Sequence, residues 1–595
     1  MTKQVTIPHL LEKNAAATPN RPAIHDKLTG SWRSKTWSEY NHLTREAGRA
    51  MINAGIDEGD VVAILGSNRP EWAIGALAAM RIGGVAAGIY TTCSPEEIAY
   101  VLGHAESKVL IAENLDQLAK VEAIWDEVPD LVRVVLMDGS SDDQRVMSWD
   151  EFLTSAEGTP AAEIDSRLDR LRDDQLAVFI YTSGTTGPPK AVMLTHENIS
   201  WTAHTLGTPF DTNGDVVSLS YLPLSHIAEM TGSILAAVTF GYTVYFCHDG
   251  LQLAEYLKEV RPTTIFGVPR VWERISAKIH DQFAEATGAK AKILTWAQGV
   301  GTQYTAAVNK GETPSTAVTA QYRLADKLVF SKIRTAIGFD RTTVFVSGAA
   351  PIPVATLEFY ASIGITIYEI YGQSEDTGPT TCNFPGQTRL GTVGRMFDGI
   401  EVKIGEDDEI LVRGKNVFAG YYKDEAATAE TLVDGWLHSG DLGKLEDGYL
   451  TIIGRKKDII ITSGGKNVAP QNIENSLTSI DIVSNAVVIG EQQRFLIALL
   501  TLEPEASARF AEDHGLEVTT LHENEMVRKH IDEAIERDVN SQFARVEHIR
   551  NYVVLPADFT TEGGELTPTL KIKRGPVNEK YAADIAACYA AGQVL

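Results

Sequence analysis

The sequence predicts an α/β protein built largely on parallel sheets, with a smaller α+β domain at its C-terminal end. Two observations carry this. Short β-branched apolar runs alternate with longer amphipathic ones over most of the chain, the pattern of repeated strand–helix–strand units. The texture then changes at a compact polar stretch, Arg455-Lys-Lys-Asp458, which is followed by a fresh set of elements.

The first pattern predicts strands at 61–65, 85–90, 108–112, 132–137, 176–181, 263–268, 342–347 and 366–372, with a helix over 70–80. Near-continuous apolar strands of this kind belong to sheets covered on both faces. The runs 409–414 and 449–454 read as short antiparallel strands. Beyond 458 the sequence predicts a helix near 470–479, strands at 482–490 and 495–502, a long helix from near 523 and a final strand at 552–555. The chain thus divides into residues 1–454, a connection at 455–458 and a C-terminal domain at 459–595, a domain of ordinary size. Residues 284–315 are polar and rich in Ala and Thr, and read as a surface insertion. Residues 230–247 carry no charge and approach spanning length, but Gly241 divides them into a helix-like half and a β-branched half. A buried helix, turn and strand is the better reading.

Composition excludes several classes. Of 595 residues, 44% are hydrophobic and 22% charged, ordinary for a globular protein with large cores. Acidic residues outnumber basic ones, 79 to 53, for a net charge of −26. Nucleic-acid binding needs a basic face and is disfavoured. An anionic ligand would need positive charge gathered locally. Four cysteines without CxxC spacing (Cys93, Cys247, Cys382 and Cys588) indicate neither a zinc site nor a disulfide framework. A reduced, cytoplasmic setting fits them.

The strongest chemical signal is Tyr181-Thr-Ser-Gly-Thr-Thr-Gly-Pro-Pro-Lys190, directly after a predicted strand. Gly184 and Gly187 let the backbone approach a ligand closely. Thr182, Ser183, Thr185 and Thr186 supply hydroxyls, and consecutive N–H groups can form an anion-binding nest. Lys190 adds positive charge, so the segment suits a polyphosphate. It is not a Walker A loop, because two residues rather than four separate the glycines and Ala191 follows the lysine.

Further motifs follow in order: Tyr221-Leu-Pro-Leu-Ser-His-Ile-Ala-Glu229, Val268-Pro-Arg-Val-Trp-Glu-Arg274, Ser347-Gly-Ala-Ala-Pro351, Tyr371-Gly-Gln-Ser-Glu-Asp-Thr377 and Trp436-Leu-His-Ser-Gly-Asp441. Toward the C-terminus come Gly454-Arg-Lys-Lys-Asp-Ile459, Ser463-Gly-Gly-Lys-Asn-Val-Ala-Pro470 with Glu474 after it, and Leu566-Thr-Pro-Thr-Leu-Lys-Ile-Lys-Arg574. Over nearly its whole length the chain resembles the adenylate-forming superfamily, which includes acyl-CoA synthetases, luciferases and the adenylation domains of peptide synthetases. Ser374 replaces the usual threonine and keeps the hydroxyl. Thr569 and Leu570 stand where many relatives have Ser and Gly, a variant that resembles the long-chain fatty acyl-CoA synthetase branch. The 221–229 and 268–274 segments and the 284–315 insertion resemble that branch too.

The resemblance implies an α/β fold: a large N-terminal domain of stacked mixed sheets with flanking helices, plus a small mobile C-terminal α+β lid. It implies adenylation of a fatty carboxylate with MgATP, then transfer of the acyl group to coenzyme A. By the same resemblance Glu375 ligates Mg²⁺, Tyr371 and Gly372 border the adenine, and Ser374 contacts the α-phosphate. Gly348, Ala349 and Ala350 make room for the base, Asp441 and Arg455 hold the ribose or phosphates, and Lys457 is the hinge. Gly464 and Gly465 face the pantetheine tunnel, and Lys571 is the catalytic lysine. His226 reads either as a group at the acyl site or as a buried structural histidine, and Trp272 either as tunnel wall or as core. A fatty acyl-AMP ligase that loads a carrier protein and a non-catalytic lipid- or nucleotide-binding relative are the competing readings. Peripheral membrane contact and a homodimer are left open.

Overall fold

A computed structural model describes residues 5–182, 188–568 and 571–593. Ser183, Gly184, Thr185, Thr186 and Gly187 of the phosphate-loop motif, and Thr569 and Leu570, lie outside the described residues.

Two large sheets organise the N-terminal domain. In the seven-stranded sheet the spatial order is Val146–Ser148, Arg133–Leu136, Val109–Ala112, Val61–Leu65, Val85–Ile89, Leu176–Thr182 and Lys190–Thr195. All its pairings are parallel except the last, a hairpin. Val61–Leu65 and Val85–Ile89 are buried at every position, as expected of strands covered on both faces.

The nine-stranded sheet has a parallel centre. There Pro22–Asp26, Thr243–Phe246, Val217–Ser220, Thr264–Gly267, Val344–Ser347 and Ile367–Tyr371 pair in that order. Arg33–Thr36 closes one edge, and Thr381–Cys382 with Arg395–Met396 closes the other, all antiparallel. Between the two sheets lies the main core, to which both contribute, together with helices Trp37–Asn53 and Pro70–Arg81. Pro70–Arg81 is almost wholly apolar and nearly all its residues are buried, which is what a helix without a polar face requires. Its one interior cation, Arg81, is held by Glu12 at 2.8 Å and Asn41 at 2.5 Å.

A third, antiparallel sheet runs Glu401–Ile404, Glu409–Arg413, Trp436–Glu446 and Leu432–Val433, with Tyr449–Arg455 on Trp436–Glu446. A single turn of 3₁₀ helix, Lys456–Asp458, leads out of it. The smaller C-terminal domain then carries a hairpin (Ile460–Ile461 with Asn467–Val468), helix Pro470–Thr478, and a sheet of Val483–Ile489, Leu496–Leu502 and Ile549–Val554 with its own core.

Residues 284–315, expected as a surface insertion, are mostly the 22-residue helix Gly288–Asn309. Ala and Thr at helical spacing put Ala297, Val300, Gly301 and Thr305 on one buried face, and Gly301 packs so closely on the Ser362 carbonyl that a β-carbon there would lie 2.1 Å from it. Trp272 is core: fully buried, its indole N–H donates to the Gly267 carbonyl at 3.2 Å and its ring packs edge-on against Tyr360. The uncharged 230–247 run is the expected helix, left-handed Gly241 and strand. No helix among the described residues is long and apolar enough to cross a membrane. All four cysteines are free and buried.

Candidate active site

The C-terminal ends of the parallel strands in the nine-stranded sheet open into a cleft of about 1920 Å³. A typical small-ligand pocket is 300–1,000 Å³, so there is room for more than one substrate.

Strand Ile367–Tyr371 delivers the first groups. It runs into a tight loop that only glycine permits at 372, since a β-carbon there would fall 1.3 Å from the Gly378 carbonyl oxygen. The loop is closed by Gly378 N–H donating to the Gln373 carbonyl at 2.9 Å. Asp376 holds it from inside, accepting from the Gln373 N–H at 2.7 Å and the Thr380 hydroxyl at 2.6 Å. Burial pushes the Asp376 carboxyl up to about 8, so it is a neutral structural group at pH 7. Tyr371, Gly372, Ser374 and Glu375 all line the cleft.

Strands Trp436–Glu446 and Tyr449–Arg455 place Asp441 opposite Arg455 in register. One Asp441 oxygen accepts from Arg455 Nε at 3.0 Å and the other from the Tyr371 hydroxyl at 2.9 Å. Burial and the Asp441 charge drive the Tyr371 phenol well above its usual range, so it stays a donor.

Lys190 opens strand Lys190–Thr195, which pairs antiparallel with Leu176–Thr182. Its ammonium is 3.5 Å from Asp424 and lies over the Tyr421 ring, 4.9 Å from the centroid. Tyr421 Oη in turn donates to Glu375 Oε1 at 2.7 Å. One aromatic side chain therefore joins the hairpin lysine to the Glu375 carboxylate. Backbone bonds of the 419–422 segment to Ala191 and Met193 hold it against the hairpin.

Lys571 arrives from the C-terminal domain. Leu566 and Ile572 form a β-bridge, Thr567 N–H donates to the Lys571 carbonyl at 2.7 Å, and Thr92 of the large domain donates to the Pro568 carbonyl at 2.8 Å. The lysine is open to cleft water, yet the protein around it withdraws it from bulk solvent. That desolvation, reinforced by Arg455, lowers its affinity for a proton, against the pull of Asp441 and Glu375. Lys571, Arg455, Asp441 and Glu375 all line the same cleft.

His226 caps helix Ile227–Met230, its Nδ1 accepting from the Ala228 N–H at 3.2 Å. Burial, aided by Lys571, lowers its pKa to about 4. It is a neutral imidazole with its proton on Nε2. Behind it the buried Glu229 accepts from the Leu222 N–H at 3.2 Å and from the Ser233 hydroxyl; burial raises it to about 7.

Of the other expected residues, Thr182, Ala349, Ala350 and Lys457 line the cleft. Ala349 adopts φ +69°, a left-handed conformation uncommon for a residue with a β-carbon. Gly348 does not line the cleft; it packs against Ile370 and Phe266, which leave no space for a side chain. Gly464 and Gly465 also lie outside the lining, in the turn of the Ile460–Val468 hairpin. Sequence reasoning missed Tyr421 and Glu369. Glu369 lines the cleft, is pushed up to about 8 by burial and accepts from the Gly391 N–H at 3.1 Å. The aromatic run 418–422 after a predicted strand was the available signal for Tyr421.

Among the described residues no group of three or more His, Cys, Asp or Glu side chains could hold a metal. A divalent ion at Glu375 would draw its remaining oxygens from phosphates and water, the habit of Mg²⁺. Positive charge is gathered in the cleft as the acidic surface demands: Lys190, Arg455, Lys457 and Lys571 all line it.

Residues of both domains thus line one cation-bearing cleft, and comparison with known proteins gives the class of the protein. The pattern of the AMP-binding enzyme family matches residues 11–422, and that of the AMP-binding enzyme C-terminal domain matches 457–593; the chain belongs to the AMP-binding enzyme family. It is similar to long-chain-fatty-acid–CoA ligase ACSBG2 of Xenopus laevis, with 36% identity over 98% of this chain and 84% of that protein. Its identity to ACSBG2 of Gallus gallus is 37%, over 96% of this chain and 79% of that protein. In fold it matches the anthranilate CoA ligase AuaEII in complex with anthranoyl-AMP, with a TM-score of 0.74 and 19% identity over 99% of each chain.

Proposed function

We propose that the protein is a long-chain fatty acid–CoA ligase that adenylates its acid with ATP, releasing pyrophosphate, and passes the acyl group to coenzyme A, releasing AMP. The observation that carries this reading is the meeting of Lys571, from the smaller domain, with Arg455, Asp441 and Glu375 at the head of an apolar channel. Relatives named long-chain-fatty-acid–CoA ligases, matched over nearly the whole chain, support it.

In the first step the carboxylate attacks the α-phosphorus in line and pyrophosphate leaves. Lys571 sits beside the attacking oxygen and Lys190 beside the leaving phosphates, so each offsets charge where it accumulates. The hydroxyls and glycines of the 182–187 motif serve the phosphates, Ser374 donates to the α-phosphate, and Asp441 accepts from the ribose. Tyr371 and Ala349–Ala350 flank the adenine. Glu375 would hold Mg²⁺, which would supply further charge neutralisation. His226, neutral, donates through Nε2 at the acyl carboxylate.

In the second step Lys571 must leave. Residues 455–458 connect domains 1–454 and 459–595, and rotation of the smaller about Lys457 withdraws the lysine. The same rotation brings Gly464 and Gly465, the latter with open space beside it, to the path of the pantetheine arm. Purified protein given MgATP, CoA and acids of graded length, with products identified by mass, tests the proposal. Acyl-CoA from long-chain acids is expected. Acyl-AMP that CoA does not discharge would refute it in favour of a carrier-protein acceptor.

A further inference from the structure

The cleft continues far below the nucleotide end. In strands Thr264–Gly267 and Val344–Ser347 buried residues alternate with half-exposed ones. The buried set faces the core around Trp272. The half-exposed set lines the cleft: Thr264 pairs with Val344 and Phe266 with Val346, so the two rows stack along one face of the sheet. A sheet covered on both sides keeps every second side chain half-open only where a channel runs beneath it.

Further lining comes from the segment 227–236, through Ile227, Ala228, Thr231, Gly232 and Ala236. Its middle, Thr231–Leu235, is a π-helical turn, a distortion that often marks functional sites. It presents Gly232 to the lining, and a β-carbon on Gly232 would meet nothing within 4 Å. The channel does not end in a wall. Its lining passes the N-terminal ends of the strands and reaches Asp211, Asn213, Asp215, Arg341 and Thr343, all solvent-exposed. Among the described residues the Asp211, Asp215 and Arg341 side chains make no ion pair.

We infer that the acyl channel is open at both ends, and that the enzyme accepts long-chain acids carrying a polar ω-terminus, above all a hydroxyl, which emerges at the Asp215–Arg341 mouth. This rests on the fatty-acid reading above and adds a substrate class to it. From Ser347 back to Thr343 the strand covers roughly 13 Å at about 3.3 Å per residue. With C–C bonds of about 1.52 Å, an extended chain advances about 1.25 Å per carbon, so octanoate reaches about 9 Å and hexadecanoate about 19 Å. The longer chain places its end group in water at the mouth. The shorter one leaves it inside the channel beside Val344 and Thr264, away from the water at the mouth, so its burial is costly.

The test compares kcat/KM for pyrophosphate release on hexadecanoate, ω-hydroxyhexadecanoate, octanoate and ω-hydroxyoctanoate. The hydroxyl is expected to cost the long chain less than about threefold and the short chain about tenfold or more. Equal penalties at both lengths would overturn the open channel. Failure to turn over hexadecanoate would instead sink the fatty-acid reading itself. Gly232→Leu, filling the channel midway, is expected to lower the hexadecanoate-to-octanoate ratio at least tenfold; an unchanged ratio places the chain elsewhere. The wild-type comparison stands whether or not that variant folds.

Discussion

Replacing Tyr421 by Phe isolates one hydroxyl at the junction of the two phosphate-handling groups. The ring, and with it the Lys190 contact at 4.9 Å, remains; the 2.7 Å donation to Glu375 Oε1 is lost. Burial and the Glu375 charge raise the phenol's pKa, so the wild-type group is a donor at every working pH. A hydrogen bond to a charged partner contributes about 1.5–3 kcal/mol. Glu375 faces a cleft that water can enter, so water recovers part of this and the lower half of the range applies. A loss of about 1.5–2 kcal/mol corresponds to roughly a 13- to 30-fold fall in kcat/KM for adenylation. Because the lost bond orients the proposed metal ligand, half-saturating Mg²⁺ should rise as well. The assay is pyrophosphate release across a Mg²⁺ titration with acid and ATP fixed. Y421F with unaltered kcat/KM and an unaltered Mg²⁺ midpoint would refute the bridge as a working part of the site.

Lys571→Ala is expected to slow adenylation by at least about 100-fold, as loss of one transition-state charge does, while thioester formation from supplied acyl-AMP stays within a few-fold of wild type; equal loss of both half-reactions contradicts the division of labour between domains. Glu229, raised from 4.5 to about 7, keeps its proton when folded and loses it when unfolded, so it makes stability fall as pH rises from about 4.5 to about 7 and adds no slope above that. Glu229→Gln should flatten the Tm–pH curve in that window, and parallel curves for the two proteins would dismiss the assignment. Trp272→Ala should cost about 3–5 kcal/mol by denaturant unfolding, as for a large buried aromatic, with the acid's KM unchanged in the folded fraction; a changed KM would return Trp272 to the acyl channel.

The parallel strands were legible because burial on both faces leaves no room for polar residues in runs such as 61–65 and 85–89. Tyr371 and Glu375 were legible because they sit in a motif whose spacing is set by a tight turn at a strand end, and Asp441 because it closes the 436–441 motif, although it lies within strand Trp436–Glu446. Tyr421 was not: its significance comes from pairing of the 419–422 segment with a hairpin more than 200 residues earlier, a relation no local pattern encodes. Gly348 was expected in the base pocket but packs on Ile370 and Phe266, and Trp272 was ambiguous, since a small residue at a strand end, or a large one after it, serves packing as readily as binding. The 284–315 helix was obscured because Ala and Thr at its buried positions lack the bulk by which helical periodicity is usually recognised.

The contact between Gly372 and the Gly378 carbonyl sets a boundary on inheritance. Lineages can exchange Ser374 for threonine, or vary Gln373, without disturbing the ring these two glycines close. Any side chain at 372 must prise it open. A change there would be expected to extinguish turnover in one mutational step, however ordinary the replacement looks on paper.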